Sequence, residues 1–180
     1  MKRVFNIQIF SVSLLAVFMI VVGTGSIPPG ENEAMKGFTY SAVGGMFEVV
    51  FPVQYTEEKT DGEKTQTTKV TADEDGVSYM LSLTKHSEDL SAADPMNLAK
   101  VSIEAFAEAA GGKLTKSAEV KCGKHKGMEG TVDLSENSAT IAYRVFLVQN
   151  YQIQMVAVCM GSKKVSKKAM SFLKSLKIKA

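Results

Sequence analysis

Four runs of residues with strand-like alternation fill most of the stretch from Leu114 to Met160, and short polar connections separate them. The runs are 114–122, 125–134, 138–149 and 151–160. Such short connections join only antiparallel neighbours, because parallel strands need a crossover of about a dozen residues or more. The sequence therefore predicts an antiparallel meander of four consecutive strands.

Further strands are predicted before the meander. Residues 66–72 and 77–84 alternate and flank the turn 73–76, whose Asp75-Gly76 pair is typical of a β-hairpin. Short extended pieces are expected at Phe38–Ala42 and Met46–Phe51, the second of which stops at Pro52. The polar stretch Gln54–Thr65 has no periodicity and is expected to be an exposed loop.

Two segments have helical periodicity. The first begins at the cap residue Asp94, followed by Pro95, and ends at Gly111-Gly112. The second is predicted to begin at Gly161-Ser162. Together these elements predict an α+β fold with a central antiparallel sheet flanked by helices. The expected apolar faces are Leu98, Val101, Ala105, Phe106 and Ala109 on the first helix, and Val165, Ala169, Phe172, Leu173 and Leu176 on the second.

The N-terminus has the pattern of an export signal. Lys2 and Arg3 precede an apolar run from Ile9 to Val22, which is shorter than the roughly 20 residues of a free-standing membrane helix. We predict either a signal peptide cleaved before Ser26 or an uncleaved N-terminal anchor. Both place the rest of the chain outside the cytoplasm, in the periplasm or the extracellular space. The predicted organisation is a signal or anchor over 1–25, a flexible leader over 26–43 and a single domain over 44–180.

Charge is distributed unevenly along the chain. Residues 27–110 contain 6 basic and 15 acidic side chains, whereas residues 111–180 contain 13 and 4, so the two halves carry −9 and +9. The predicted terminal helix has four lysines in its first two turns, where the helix dipole disfavours cations. One interpretation is a face that binds an acidic protein, anionic lipid or a second copy of the chain. The other is a solvated face on which salt screens the unfavourable interaction of the lysines with the helix dipole. The four are Lys163, Lys164, Lys167 and Lys168.

The two cysteines, Cys122 and Cys159, lie in the first and fourth runs of the predicted meander. In an up-and-down order these residues fall at opposite ends of the sheet, about 30 Å apart at roughly 3.3 Å per residue. A disulfide needs Cα atoms within about 7 Å of each other. We therefore predict two unpaired thiols, although export permits a disulfide.

Catalytic and metal-binding patterns are weak. The histidines are His86, expected on the surface at a strand end, and His125, which forms half of a metal-site spacing with Cys122. No residue has the local signature of an activated nucleophile, so we predict no enzyme activity, no cofactor and no metal. Arg144 is expected to form a structural ion pair. Because lysine supplies nearly all the cationic side chains and the chain is expected to be exported, nucleic acid is not a predicted partner.

Core and turn patterns follow one another at 44–52, at Gly112 leading into Leu114, at 122–129, at 143–147 with Tyr151, and at 172–176. Their order resembles exported bacterial proteins of the PsbP-like fold. This fold is shared by the photosystem II extrinsic protein PsbP and the Ran-binding Mog proteins. The resemblance implies an α/β/α sandwich around an antiparallel sheet, transfers no catalytic residue and implies an accessory or binding role. The features that tie PsbP to photosystem II are not recognisable.

Two functional hypotheses follow. The first is a non-catalytic exported accessory or binding domain at the cell envelope. Its four helix lysines would bind an envelope protein or an anionic surface. The chain would contact the membrane only through an uncleaved N-terminal segment. The alternative is a small-ligand carrier with a pocket between sheet and helix, lined by Phe106, Met155 or Phe172. An enzyme would need Cys122, His125 and an acid in one cleft.

Overall fold

A computed structural model describes residues 37–88, 94–134 and 138–179, so the predictions for the N-terminal signal or anchor lie outside the described residues. Within those ranges the chain forms two α-helices, α1 (Pro95–Ala109) and α2 (Lys167–Lys174), and ten strands. The strands are β1 (Phe38–Ala42), β2 (Phe47–Phe51), β3 (Thr56–Asp61), β4 (Thr65–Glu74), β5 (Val77–His86), β6 (Lys113–Cys122), β7 (His125–Leu134), β8 (Ala139–Val148), β9 (Tyr151–Cys159) and β10 (Lys177–Ile178).

Seven of the described strands form one large antiparallel sheet in the order β3-β4-β5-β9-β8-β7-β6. The predicted meander is confirmed, because β6 to β9 follow one another in space as they do in sequence. The predicted β4–β5 hairpin is also confirmed. Its turn residues Asp75 and Gly76 both have positive φ, 54° and 74°, as a two-residue hairpin turn requires.

The two faces of the large sheet are covered by different layers. Helix α1 packs on β6, β7 and β8, whereas α2 packs on the opposite face over β5, β8 and β9. A small antiparallel sheet with the order β1-β2-β10 shares the face with α2. The expected α+β architecture, a large antiparallel sheet with helices, is therefore confirmed.

Strand β3 corrects the prediction of a loop over Gln54–Thr65. It pairs with β4 along its whole length and forms one edge of the large sheet. All of its residues are exposed, as predicted. Because both faces of this edge strand meet solvent, its sequence has no hydrophobic alternation from which a strand can be inferred.

Strand β1 lies before the predicted domain start at residue 44. It pairs with β2 over five residues, and the side chain of Tyr40 is buried in the core. The folded domain therefore includes Phe38–Ala42, which the sequence assigns to the leader.

The buried face of α1 differs from the predicted one. Phe106 is buried as expected, but Ala109 is exposed. Apolar residues occur on most sides of this helix, so periodicity alone leaves its rotation open, and packing selects the side that approaches the sheet most closely. The buried residues are Ala99, Ser102, Ile103, Phe106 and Ala107.

Helix α2 begins later than predicted. Its N-cap is Ser166, whose Oγ accepts a hydrogen bond from the Ala169 amide at 3.0 Å, so the helix starts at Lys167 rather than at Gly161. The hydroxyl of Ser162 instead bonds to the backbone of Lys164 and stabilises a turn. The predicted apolar face is largely right, because Ala169, Phe172, Leu173 and Leu176 are all buried.

A stacked aromatic pair lies beneath α1. The rings of Phe106 and Tyr143 are 4.5 Å apart and inclined by 12°. The Tyr143 hydroxyl has no hydrogen-bond partner among the described residues, and burial raises its pKa.

We expect Tyr143→Phe to leave stability unchanged or to raise it by up to about 1 kcal/mol, because it removes an unsatisfied buried hydroxyl. Urea unfolding measures the change. Tyr55→Phe is the control, since the Tyr55 hydroxyl is a donor to the Thr39 carbonyl on an exposed surface. A loss of more than about 1 kcal/mol in Tyr143→Phe would show that this hydroxyl is satisfied in the native protein.

Candidate functional site

The C-terminal segment from Gly161 onward is entirely basic in its charge. It contains seven lysines and no acidic residue, which is the largest net charge of any segment of this length after residue 26. The segment forms α2, β10 and the connections around them. The lysines are Lys163, Lys164, Lys167, Lys168, Lys174, Lys177 and Lys179.

Two of these lysines are neutralised by acids from the first half of the chain. The ammonium of Lys168 lies 3.1 Å from a carboxylate oxygen of Glu74 and 3.9 Å from one of Asp75, both at the β4–β5 turn. Lys179 forms an ion pair with Glu48, and this hydrogen bond lowers the pKa of the Glu48 carboxyl. The acidic and basic halves therefore partly compensate each other within one molecule.

Four other lysines form a surface that we call the basic ridge. Lys163, Lys164, Lys167 and Lys174 are exposed, and none forms an ion pair with any residue in the described ranges. Lys167 and Lys174 lie two turns apart on the solvent side of α2, opposite the buried Phe172 and Leu173. The ridge thus contains three of the four predicted lysines together with Lys174, which sequence reasoning missed although its spacing of seven residues from Lys167 indicates a shared face.

The late start of α2 reduces the number of cations that oppose the helix dipole. Lys167 and Lys168 occupy the first two helical positions, whereas Lys163 and Lys164 precede the cap. A cation in the first turn costs a few tenths to about 1 kcal/mol, and Lys174 in the last turn is favourable. Two unfavourable lysines, one of them offset by Glu74, remain on the described helix.

Helix α2 is held firmly beneath the ridge. The Phe172 ring packs against Phe51 and Tyr79 with centroids 5.0 and 5.2 Å apart. The Arg144 guanidinium donates to the Leu173 carbonyl at 2.9 Å, near the C-terminal end of the helix. Arg144 also pairs with Glu129 on the neighbouring strand, as the sequence predicts.

His86 is not the surface residue that the sequence predicts. Its side chain is only 8% exposed, and burial lowers its pKa. It belongs to a row of polar side chains on the α1 side of β5 and β9, whose hydrogen bonds include Gln152 to Ser102 at 3.1 Å and Thr67 with Thr84 at 3.2 Å. Contacts of this kind satisfy buried polar groups and serve the fold.

Cys122 and His125 face each other across the β6–β7 hairpin, and Cys159 lies at the opposite end of the sheet. Both thiols are free. Cys122 donates to the Leu176 carbonyl at 3.2 Å, and burial raises the pKa of its thiol, which disfavours the nucleophilic thiolate. Within the described ranges no group of three or more potential metal ligands comes together.

The residues predicted to line a ligand pocket do not share one space. Phe106 belongs to the core beneath α1, whereas Met155 and Phe172 belong to the core on the other face of the sheet. All three are at most 2% exposed. Phe106 therefore cannot line a common pocket with Met155 or Phe172, because the sheet separates them, and the small-ligand carrier stays a prediction.

No protein-family model and no curated protein matches the chain. It has a distant structural similarity to a crystal structure of a protein from Bacteroides thetaiotaomicron VPI-5482, with 14% sequence identity and a TM-score of 0.41. The match covers 81% of this chain and 50% of that chain, so this chain spans about half the length of its structural neighbour. Among the helices of the described residues, none is long and apolar enough to cross a membrane.

Proposed function

We propose that this chain is a non-catalytic accessory or binding domain that is exported to the cell envelope, where its basic ridge binds an acidic protein surface. The observation that carries the proposal is the set of four exposed lysines that no described acid neutralises, while Lys168 beside them is paired with Glu74. Export rests on the charged and apolar N-terminal pattern of the sequence.

The rigidity of α2 supports a role in recognition. A charged surface on a well-packed helix loses little conformational entropy of the backbone when it binds. Clustered lysines also raise the rate at which an acidic partner is captured, because their summed field acts over about 10 Å at ordinary ionic strength. The ridge therefore provides affinity and orientation without any catalytic group.

A PsbP-like relationship is part of the same proposal. Its supports are the ordered sequence patterns of the chain and an antiparallel sheet with helices on opposite faces. An accessory role is what that resemblance implies.

The test is retention on immobilised poly-glutamate during a salt gradient. We expect the variant Lys163→Gln/Lys164→Gln/Lys167→Gln to elute at lower salt and to bind about tenfold more weakly, since exposed charge pairs contribute about 0.2–1 kcal/mol each. The control is Lys100→Gln/Lys113→Gln/Lys116→Gln, which removes the same charge from exposed lysines on α1 and β6. Equal losses in both variants would show attraction to net charge alone and would reject the ridge.

A further inference from the structure

A second group of unpaired lysines lies at the end of the β6–β7 hairpin. Lys121 and Lys126 are directly opposite each other in the strand register, and Lys124 occupies the turn between them. All three are exposed, and none forms an ion pair with the part of the chain that the structure describes. Like charges directly opposite each other destabilise a strand pair, so this hairpin end is suited to an anionic partner.

The C-terminal strand lies next to this hairpin. The Cys122 thiol donates to the Leu176 carbonyl at 3.2 Å, immediately before β10. On its other side β10 pairs with β2, and the Lys179 amide donates to the Met46 carbonyl at 2.9 Å. Strand β10, with the exposed Lys177, thus bridges the β6–β7 hairpin and the turn between β1 and β2.

The turn between β1 and β2 presents an apolar side chain in an unfavourable backbone conformation. Val43 has φ of 52° and is 40% exposed, and Gly44 and Gly45 follow with φ of 62° and 89°. A β-branched residue with positive φ is a genuine outlier, and the neighbouring glycines show the residue type that this backbone favours. Since Val43 fills no core position, its side chain is not explained by folding.

We propose that this end of the molecule docks on an anionic lipid bilayer. The docking surface consists of Val43, Lys121, Lys124, Lys126 and Lys177, and we call it the docking end. Its lysines bind lipid phosphates, and Val43 enters the interfacial layer, because a basic surface with an exposed aliphatic residue matches an anionic membrane interface. An acidic protein alone would leave the position of Val43 unexplained.

The docking end is separate from the N-terminal part of the basic ridge, whereas Lys174 of the ridge lies three residues before Lys177. The ridge begins beside Cys159, whose sulfur accepts from the Ser166 amide at 3.5 Å, whereas the docking end lies beside Cys122 at the other end of the sheet. A molecule docked in this way directs the N-terminal part of the ridge away from the lipid. The bilayer proposal therefore stands independently of the proposed acidic partner.

The test is co-sedimentation of the protein with vesicles of phosphatidylcholine that contain about one third phosphatidylglycerol, and with vesicles of phosphatidylcholine alone. We expect binding to the anionic vesicles and not to the neutral ones. Lys124→Gln/Lys126→Gln should weaken binding about thirtyfold, because each lysine near an anionic surface contributes about 1 kcal/mol to the free energy of binding. The control Lys100→Gln/Lys113→Gln removes the same charge elsewhere and should change binding less than about threefold.

The variant Val43→Gly separates docking from folding. It should weaken vesicle binding about fivefold, because it removes a partly exposed aliphatic side chain, and it should raise the melting temperature, because glycine adopts positive φ freely. Unchanged vesicle binding by Val43→Gly would indicate a purely charged partner and overturn the proposal. Failure of the wild-type protein to bind anionic vesicles would also overturn it. The ridge variant Lys163→Gln/Lys164→Gln/Lys167→Gln should keep at least a third of the vesicle affinity, and a larger loss would place lipid on the ridge instead.

Discussion

Phe172→Ala is expected to lower the free energy of unfolding by about 3–5 kcal/mol. The ring is fully buried and contacts Phe51 of the small sheet and Tyr79 of the large sheet. It therefore joins three layers, α2 and both sheets, and its removal leaves a cavity that none of them can close alone. Chemical denaturation, monitored by circular dichroism, measures the loss.

Phe38→Ala is the matched control for Phe172→Ala. Phe38 has the same side chain on the same side of the large sheet, but it is 48% exposed. Its truncation should cost less than about 1 kcal/mol. If Phe172→Ala costs no more than Phe38→Ala, α2 is not packed on the sheet as described, and the ridge loses its rigid support.

Arg144→Met is expected to destabilise the protein by about 2–3 kcal/mol. The substitution removes the bond to the Leu173 carbonyl and leaves the Glu129 carboxylate without its cation. Breaking a buried pair typically costs about 3–5 kcal/mol, and the expected value is lower because the Glu129 side chain is 25% exposed. Thermal or urea unfolding measures the change.

The double variant Arg144→Met/Glu129→Leu tests the origin of that loss. Replacing both charges by apolar groups removes the unpaired carboxylate, so the double variant should be more stable than Arg144→Met alone. A double variant that loses as much as the sum of the two single changes would mean that the two side chains do not interact in the native protein.

The meander and the β4–β5 hairpin could be predicted because local chemistry fixes their turns. Connections such as Gly123-Lys124 allow only antiparallel neighbours, and the Asp75-Gly76 pair has the positive φ values that its turn needs. The start of α1 was equally accessible. Asp94 accepts from the Met96 amide at 3.0 Å, as a cap residue before a proline should.

Other features depend on tertiary contacts that local patterns do not encode. Strand β3 is polar on both faces because it lies at a sheet edge. Apolar residues occur on most sides of α1, so the sequence alone does not determine which side of the helix faces the sheet. The start of α2 was decided by competition between Ser162 and Ser166 as hydrogen-bonding residues. The burial of His86 follows from its place on β5, next to β9, in the large sheet, which the order of predicted strands does not specify.

The contrast between an acidic and a basic half takes a specific form in the fold. Lys168 and Lys179 bind acids from the first half, so part of the opposite charge is consumed within the molecule. The lysines of the C-terminal half that form no ion pair within the described ranges include those of the basic ridge, those of the docking end, and Lys113 and Lys116 on β6. Of the four lysines that the sequence predicts to act together, three therefore belong to the basic ridge and the fourth, Lys168, forms an internal ion pair.

Hydrogen exchange of the full chain, measured by mass spectrometry with and without poly-glutamate, tests most directly whether the basic ridge is the binding surface. If the basic ridge is the binding surface, peptides that cover residues 163–174 exchange more slowly on binding, with little change at the equally exposed Lys113 and Lys116 of β6. Protection confined to residues 113–116 or to α1, or none at all in the ridge while poly-glutamate is bound, would contradict the claim that the basic ridge is the binding surface.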